Sequence, residues 1–289
     1  MKRISWMTTF LWCMCIVACT PGKTERESVS SAAVQAYEYV TTARLTVAES
    51  KRLIAKGLAA NKDVKACLEK GMLIVTLGTT NTYIAEELAG IRAERGSFVT
   101  GHIIPKGKES FREKVKRMPE LVLVNGKPAD MTYVEALEAM KPEDIVLKGA
   151  NMLNYTKKQA AVCVGAPDGG TVARLRKYTD RGRGRWIVPV GLEKETTQDL
   201  FEVNELLQKA ASKGKGTVKL NVTQGNVYTE IEALKEFADV EVRVTAKGGV
   251  MGAEGGVSLL IFGKKGEVEK AEKALETVYG EPPFIADGN

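Results

Sequence analysis

Between Leu77 and Thr82 the chain reads Leu-Gly-Thr-Thr-Asn-Thr, directly after the apolar run Met72–Thr76 and before an amphipathic helix pattern over Tyr83–Arg92. A loop that leaves a strand and enters a helix points unpaired backbone N–H groups at one spot, and the helix dipole adds positive potential there. Gly78 admits close approach of a ligand, Thr79, Thr80 and Thr82 bring hydroxyl donors, and Asn81 brings an amide. Such a loop suits a phosphate or a carboxylate. A second apolar run, Asp144–Leu147, opens into Lys148-Gly149-Ala150-Asn151, which offers an ammonium, a residue without side chain and another amide. The candidate ligand-binding residues are therefore Gly78, Thr79, Thr80, Asn81, Thr82, Lys148, Gly149 and Asn151. Thr and Asn are also what a plain helix N-cap selects, and a lysine ending a buried strand also snorkels to water; both alternatives stay open.

Other polar features carry less chemistry. Asp168-Gly169-Gly170-Thr171 is expected as a third loop on the same sheet edge, although a simple turn explains its glycines as well. Arg174, Arg176, Lys177, Arg181, Arg183 and Arg185 put six positive charges into twelve residues, a pattern that phosphates, anionic lipid headgroups or nucleic acid would select, headgroups ahead of nucleic acid for a tethered protein, although such charge runs are more often a solvated helix end and loop. Lys247–Gly256 is too rich in glycine for a regular hairpin turn and reads as a flap or a flexible connection. His102 is the sole histidine, without a nucleophile pattern beside it, which favours a structural role. Cys67 and Cys163 lie outside any Cys-x-x-Cys or Cys/His cluster, so no metal site is indicated; buried thiols and one disulfide both remain open. No catalytic residue and no cofactor can be nominated.

The N-terminus carries chemistry of another kind. Lys2 and Arg3 precede an uncharged run, Trp6–Ala18, which is suited to an export signal and short for a membrane span. The run ends Ile16-Val17-Ala18-Cys19 and resembles the lipobox of bacterial lipoproteins. That resemblance implies cleavage before Cys19, diacylation of its thiol and a membrane partner held through lipid. Thr20–Ala33 is polar and rich in serine, as a tether would be. Residues 1–18 are thus expected as signal peptide and 19–34 as lipidated tether, placing the body in the cell envelope, outside the cytoplasm.

The body has to position these groups. The chain of 289 residues is 44% hydrophobic with only 6% aromatics and 28 glycines, which suits an α/β fold with many tight turns. Its formal charge is +6. Loss of Lys2 and Arg3 lowers this to +4, too mild to indicate nucleic acid. Thr46 and Glu49 have capping-box spacing, and the apolar stripe behind them predicts one helix extending toward Cys67. Strands are predicted at Met72–Leu77, Ser97–Ile104, Leu121–Val124, Asp144–Leu147, Ala160–Val164 and Trp186–Val190, separated by helices at Tyr83–Arg92, Tyr133–Met140 and from Thr171. Short buried strands alternating with helices predict a mostly parallel, doubly wound sheet over 35–197. After a joining helix at Gln198–Lys213, the order strand (217–223), helix (228–237), strand (240–246), strand (257–262), helix (267–279) predicts a ferredoxin-like α+β module over 198–289, with Pro282-Pro283-Phe284 as a last edge.

Gly71–Leu88 resembles the first strand–helix unit of the ribose-5-phosphate isomerase, glucosamine-phosphate deaminase and CoA-transferase superfamily, in which a Leu-Gly-Thr-Gly-Ser-Thr strand end binds sugar phosphate. Leu77, Gly78, Thr79 and Thr82 match; Thr80 and Asn81 stand where the family has Gly and Ser. Ile145–Asn151 resembles the family's Ile-Lys-Gly-Gly-Gly-Gly strand end. The resemblance implies an anion site on an isomerase/CoA-transferase-like sheet. The family's Asp-Gly-Ala-Asp-Glu run, which supplies its acid/base carboxylates, is missing, and Asp130, Glu143 and Asp144 do not replace it. Binding of a small phosphorylated or carboxylated ligand is therefore expected ahead of isomerase or transferase activity, and a non-catalytic envelope interaction protein is the third alternative. Sugar phosphates and CoA belong mainly to the cytoplasm, so an exported member would need a different ligand or a different use of the fold.

Overall fold

The computed structural model describes residues 38–111, 114–215 and 218–285. The expected signal segment, Cys19 and the tether lie outside them. Strand β1 (Tyr39–Leu45) leads into helix α1 (Val47–Ala60), which starts with the capping box that its sequence specifies. Thr46 Oγ1 accepts from the Glu49 N–H at 3.3 Å, and the Glu49 carboxylate accepts from the Thr46 N–H at 2.8 Å. The apolar stripe toward Cys67 is two helices rather than one. Asn61 takes an extended backbone, ends α1, and caps α2 (Lys62–Lys70) by accepting from the Asp63 and Val64 N–H groups.

The chain continues through β2 (Met72–Val75), α3 (Thr79–Ala89), β3 (Leu121–Val124), β4 (Lys127–Pro128), α4 (Tyr133–Ala139), β5 (Ile145–Leu147), the hairpin β6 (Met152–Asn154) and β7 (Gln159–Val164), α5 (Gly170–Thr179) and β8 (Arg185–Pro189). A 3-10 turn (Leu192–Lys194), α6 (Leu200–Ser212), β9 (Lys219–Gln224), β10 (Val227–Tyr228), α7 (Glu230–Lys235), β11 (Val240–Lys247), β12 (Val257–Gly263) and α8 (Lys265–Glu276) follow. This is an α/β protein built on a six-stranded mixed sheet of order β4-β3-β2-β5-β8-β10. β2, β5, β8 and β10 run parallel, while β3 and β4 form an antiparallel flank. Succession runs outward from β2 to β4 on one side and from β5 to β10 on the other. The order therefore reverses between β2 and β5, where the loops after both strands leave the same edge; such a crevice is where open α/β sheets bind ligands. Every residue of β2 and β5 is buried, which explains why neither shows alternation in sequence.

Several expectations need correction. Ser97–Ile104 forms no strand. Ser97, Phe98 and Val99 are buried, but the segment's backbone bonds to Gly78 and Met118 are isolated and set up no ladder. The run Ala160–Val164 is a strand outside the main sheet: β7 lies between β6 and β9 in a three-stranded antiparallel sheet. The loop at Asp168 consequently does not share an edge with Gly78 and Lys148. The strand expected to open the ferredoxin-like module, now β9, belongs to that same small sheet.

The β-α-β-β-α order expected of the tail is nevertheless assembled, with a different first half. β1 and α1 supply the opening strand and helix, and β11, β12 and α8 supply the rest, in sheet order β1-β12-β11. Alternation along β12 buries Val257, Leu259 and Ile261 on the face that also holds Ala43, Leu45 and Val242. α1 packs on α3 and α7 besides this sheet, so Leu53, Ile54 and Leu58 are completely buried; burial of each such side chain contributes about 2 kcal/mol. Pro282 and Pro283 form no edge strand; Phe284 packs near Tyr83 at 6.0 Å between ring centroids. Among the described residues no helix is long and apolar enough to cross a membrane.

Candidate functional site

Gly78 caps α3 with an extended backbone, and its N–H already donates to Phe98 O at 2.9 Å. The N–H groups of Thr79, Thr80 and Asn81 occupy the first helical turn, where no intrahelical acceptor exists. Two other residues of the loop face inward. Thr82 is buried with its hydroxyl donating to Gly78 O at 3.0 Å. Asn81 is 1% exposed and donates through Nδ2 to Thr76 O at 2.7 Å and Leu147 O at 3.0 Å, tying the ends of β2 and β5 together. Of the loop's threonines, Thr80 is buried as well, and Thr79 is left half-buried at the start of the turn.

Lys148 stands across the crevice from this turn. Its backbone is fixed by the Trp186 indole N–H, which donates to Lys148 O at 2.9 Å, and its Nζ reaches Leu77 O at 3.4 Å. Burial pushes the Lys148 ammonium down to about 8, with Glu120 opposing and Lys194 assisting. Gly149 is needed for clearance, because a Cβ there would meet Pro189 O at 3.1 Å. Asn151 points elsewhere. It is exposed, and its Oδ1 accepts from the Cys163 N–H at 2.8 Å, closing the β6–β7 hairpin.

The structure adds residues that sequence reasoning passed over. Lys194, in the 3-10 turn after β8, donates to Ala150 O at 2.9 Å and lies 3.9 Å from Glu193. Glu193 Oε2 is buried without a partner. Glu230, the first residue of α7, is 0% exposed and accepts the Leu192 N–H on both oxygens, at 3.0 and 3.2 Å. Burial, then the neighbouring Glu193 charge, raise the Glu230 carboxyl; the Leu192 N–H and the Ser50 hydroxyl pull it partway back. Lys51, on α1, is 8% exposed. Burial lowers it to about 8 against the pull of Glu193 and Glu230, with Lys194 assisting. Lys194 therefore acts on both Lys51 and Lys148.

These positions left faint signals. Gly191-Leu192-Glu193-Lys194 follows a predicted strand and could have been grouped with the other strand ends. Glu230 sits inside the capping box Thr229–Glu232, where an acidic residue is ordinary, and Lys51 sits at a polar position of an amphipathic helix. Only the tertiary fold places them together.

The remaining polar features are mostly self-satisfied. Arg174 pairs with Asp168, Arg176 with Asp180, and Arg185 with Asp63, while Arg183 donates to the Met140 carbonyl. His102 Nε2 lies 3.0 Å from Ser110 Oγ. Cys67 and Cys163 are both free thiols, and burial pushes Cys67 up to about 11. No group of three or more metal-ligating side chains occurs among the described residues.

Fold and site together define an α/β protein in which half-buried Lys148 and Lys194 stand at the C-terminal ends of parallel strands, with the buried Lys51 of α1 acting on Lys194. Comparison with protein-family models, curated proteins and solved structures gave no match.

Proposed function

We propose that this protein is held at a membrane surface by a lipid on Cys19, outside the cytoplasm, and binds a small phosphorylated or carboxylated ligand at the strand ends. One observation carries the ligand half: Lys148 and Lys194 stand at the strand ends, Lys51 of α1 acts on Lys194, and the nearby carboxylates balance these cations only in part. With Glu230 held toward its neutral form, Glu193 is the main charge opposing Lys51 and Lys194; Glu120 acts on Lys148 only at longer range, and among the described residues no carboxylate lies within ion-pair distance of Lys148. A buried, uncompensated positive charge is unfavourable; an anion resting on Lys148, Lys194 and the Thr79–Thr80 N–H groups relieves it. The position at the strand-order reversal supports the isomerase/CoA-transferase-like reading of the sheet. The lipobox-like Ile16–Cys19 supports the anchor.

Thermal-shift titration with inorganic phosphate, sugar phosphates, CoA esters and organic acids tests the ligand. Stabilisation by at least one anion, lost in the Lys148→Ala/Lys194→Ala double variant, is expected; no shift with any anion refutes it. Mass spectrometry of the protein from its native host tests the anchor, which an unacylated terminus at Met1 would exclude.

A second reading, an enzyme, is favoured by the Glu193–Glu230 pair. The buried Glu230 carboxyl, raised by burial and by the neighbouring Glu193 charge, can hold a proton and supplies the acid/base function that no sequence motif provides. Turnover abolished by Glu230→Gln with anion binding intact would select it.

A further inference from the structure

Four ionisable side chains from three separate elements meet beside the anion site: Lys51 from α1, Glu193 and Lys194 from the turn after β8, and Glu230 from α7. Lys51 is the unusual member. It is 8% exposed, and among the described residues its Nζ has no carboxylate within 4.0 Å; the ring of Phe284 lies 6.0 Å away. A lysine kept for stability alone would close onto Glu193 or Glu230, both of which act on it electrostatically. Instead Glu193 is folded back against Gly191 and Glu230 is held by the Leu192 N–H. The amine is thus unpaired, on a side chain that is mostly buried, and flanked by one carboxylate and one carboxyl group, with a second cation nearby. That combination activates a lysine as a nucleophile toward carbonyl compounds.

We infer that Lys51 forms an imine with the carbonyl group of an anionic carbonyl compound, a keto acid, aldehyde acid or phosphorylated ketone or aldehyde. The proposal rests on the anion site above for the charged end of the substrate, which Lys194 and Lys148 would hold. The neutral amine donates its lone pair to the carbonyl carbon, and the π pair moves to oxygen, which takes the proton held by Glu230. Glu193 then accepts a proton from the nitrogen to give a carbinolamine. That proton returns to the hydroxyl, which leaves as water while the nitrogen pair forms the C=N bond. The iminium ends between two carboxylates, so total charge is unchanged and the only by-product is water. Burial serves the step by supplying neutral amine near pH 8, and the ring of Phe284 at 6.0 Å limits the water around the nitrogen.

Borohydride trapping on the intact protein tests this. The protein is incubated with pyruvate, glyoxylate or dihydroxyacetone phosphate, reduced with sodium cyanoborohydride, digested and mapped by mass spectrometry. With at least one probe, adduct at Lys51 is expected more than tenfold above that at Lys56, on the same helix. Lys51→Arg and Lys51→Met should each abolish it, with circular dichroism confirming that at least one variant is folded. Glu230→Gln should slow adduct formation at least tenfold. Adduct spread evenly over surface lysines, adduct at Lys148 instead, or none at Lys51 with all three probes overturns the inference. Thermal shifts recorded with the same probes separate the two proposals. Stabilisation without adduct leaves anion binding standing and removes the imine; adduct at Lys51 without stabilisation does the reverse.

Discussion

The carboxylate of Glu193 folds back over Gly191 and fills the space where a side chain at position 191 would begin. Gly191 has φ −74° and ψ 149°, a conformation open to any residue, so Gly191→Ala strains no backbone and acts by pushing a flexible carboxylate aside. Stability should change by less than about 1 kcal/mol. Charge is the larger effect. Glu193 is the carboxylate that opposes Lys51 and Lys194, so displacing it should strengthen phosphate binding, as should Glu193→Gln. At an effective dielectric of about 20 and a separation of about 6 Å, removing one charge is worth about 3 kcal/mol at most, or up to about a hundredfold in affinity. Calorimetric titration with phosphate checks both variants; affinity unchanged or weakened in both would show that the anion does not sit near Glu193.

The same groups set the dependence of stability on pH. Glu230 is raised above its usual 4.5, so between pH 4.5 and its folded value the native state binds more protons than the unfolded one, and stability falls as pH rises. Lys51 and Lys148 are lowered from 10.5 to about 8. Between about 8 and 10.5 the unfolded state binds more protons, and stability rises with pH. The ligand-free protein should therefore be least stable near pH 7 to 8. The alkaline recovery amounts to at most about 3 kcal/mol per lysine. Denaturant melts across pH should show Glu230→Gln flattening the acid limb and Lys51→Met or Lys148→Met flattening the alkaline limb. A single maximum at pH 7 in the wild type would contradict this.

Asn81 has a structural role that its loop position conceals. Asn81→Ala leaves the Thr76 and Leu147 carbonyls without this donor at the buried junction of β2 and β5. Destabilisation of about 2–3 kcal/mol is expected, which lowers the melting temperature by about 5–10 °C for a chain of this size. Thr79→Ala, half-buried in the first turn, should leave the melting temperature nearly unchanged and weaken phosphate binding instead.

What was legible in the sequence followed from local rules. The Thr46–Glu49 box, the strand at Leu121–Val124 and the strand end at Lys148 were fixed by residue type and spacing, because capping and burial of short apolar runs are decided within a few residues. Partner choice was not. Val162 reads the same in a parallel central strand as in β7, and nothing near Thr41 announces that β1 pairs with β12, more than two hundred residues later. The candidate site split along the same line. Lys148 and Thr79 were readable at strand ends, whereas Lys51, Glu193 and Glu230 became a site only when α1, the turn after β8 and α7 were packed together. Asn81, Thr82 and Asn151 matched the residue types of an anion loop, yet their side chains hydrogen-bond to nearby backbone.

The last prediction concerns the segment that covers Lys51. Glu281 pairs with Arg52 at 2.8 Å and with Arg95 at 3.4 Å, and Arg52 also binds Glu86 at 2.6 Å and Glu87 at 2.9 Å. Both guanidinium groups stack near Tyr83, 4.7 and 4.5 Å from its ring centroid. This network pins the chain so that Phe284 lies over Lys51. The Arg52 and Glu281 side chains are only 13% and 14% exposed, so Glu281→Ala breaks a partly buried pair and should cost about 2–3 kcal/mol. Phe284→Ala should cost less, since Phe284 is half-buried, but it removes the cover. The acylation rate of Lys51 by a small activated ester, measured by mass spectrometry relative to Lys56, should then rise severalfold in Phe284→Ala and by a similar factor in Glu281→Ala. An unchanged ratio in both would mean that α1 and α7 alone enclose the amine and that the C-terminal strap has no part in guarding it.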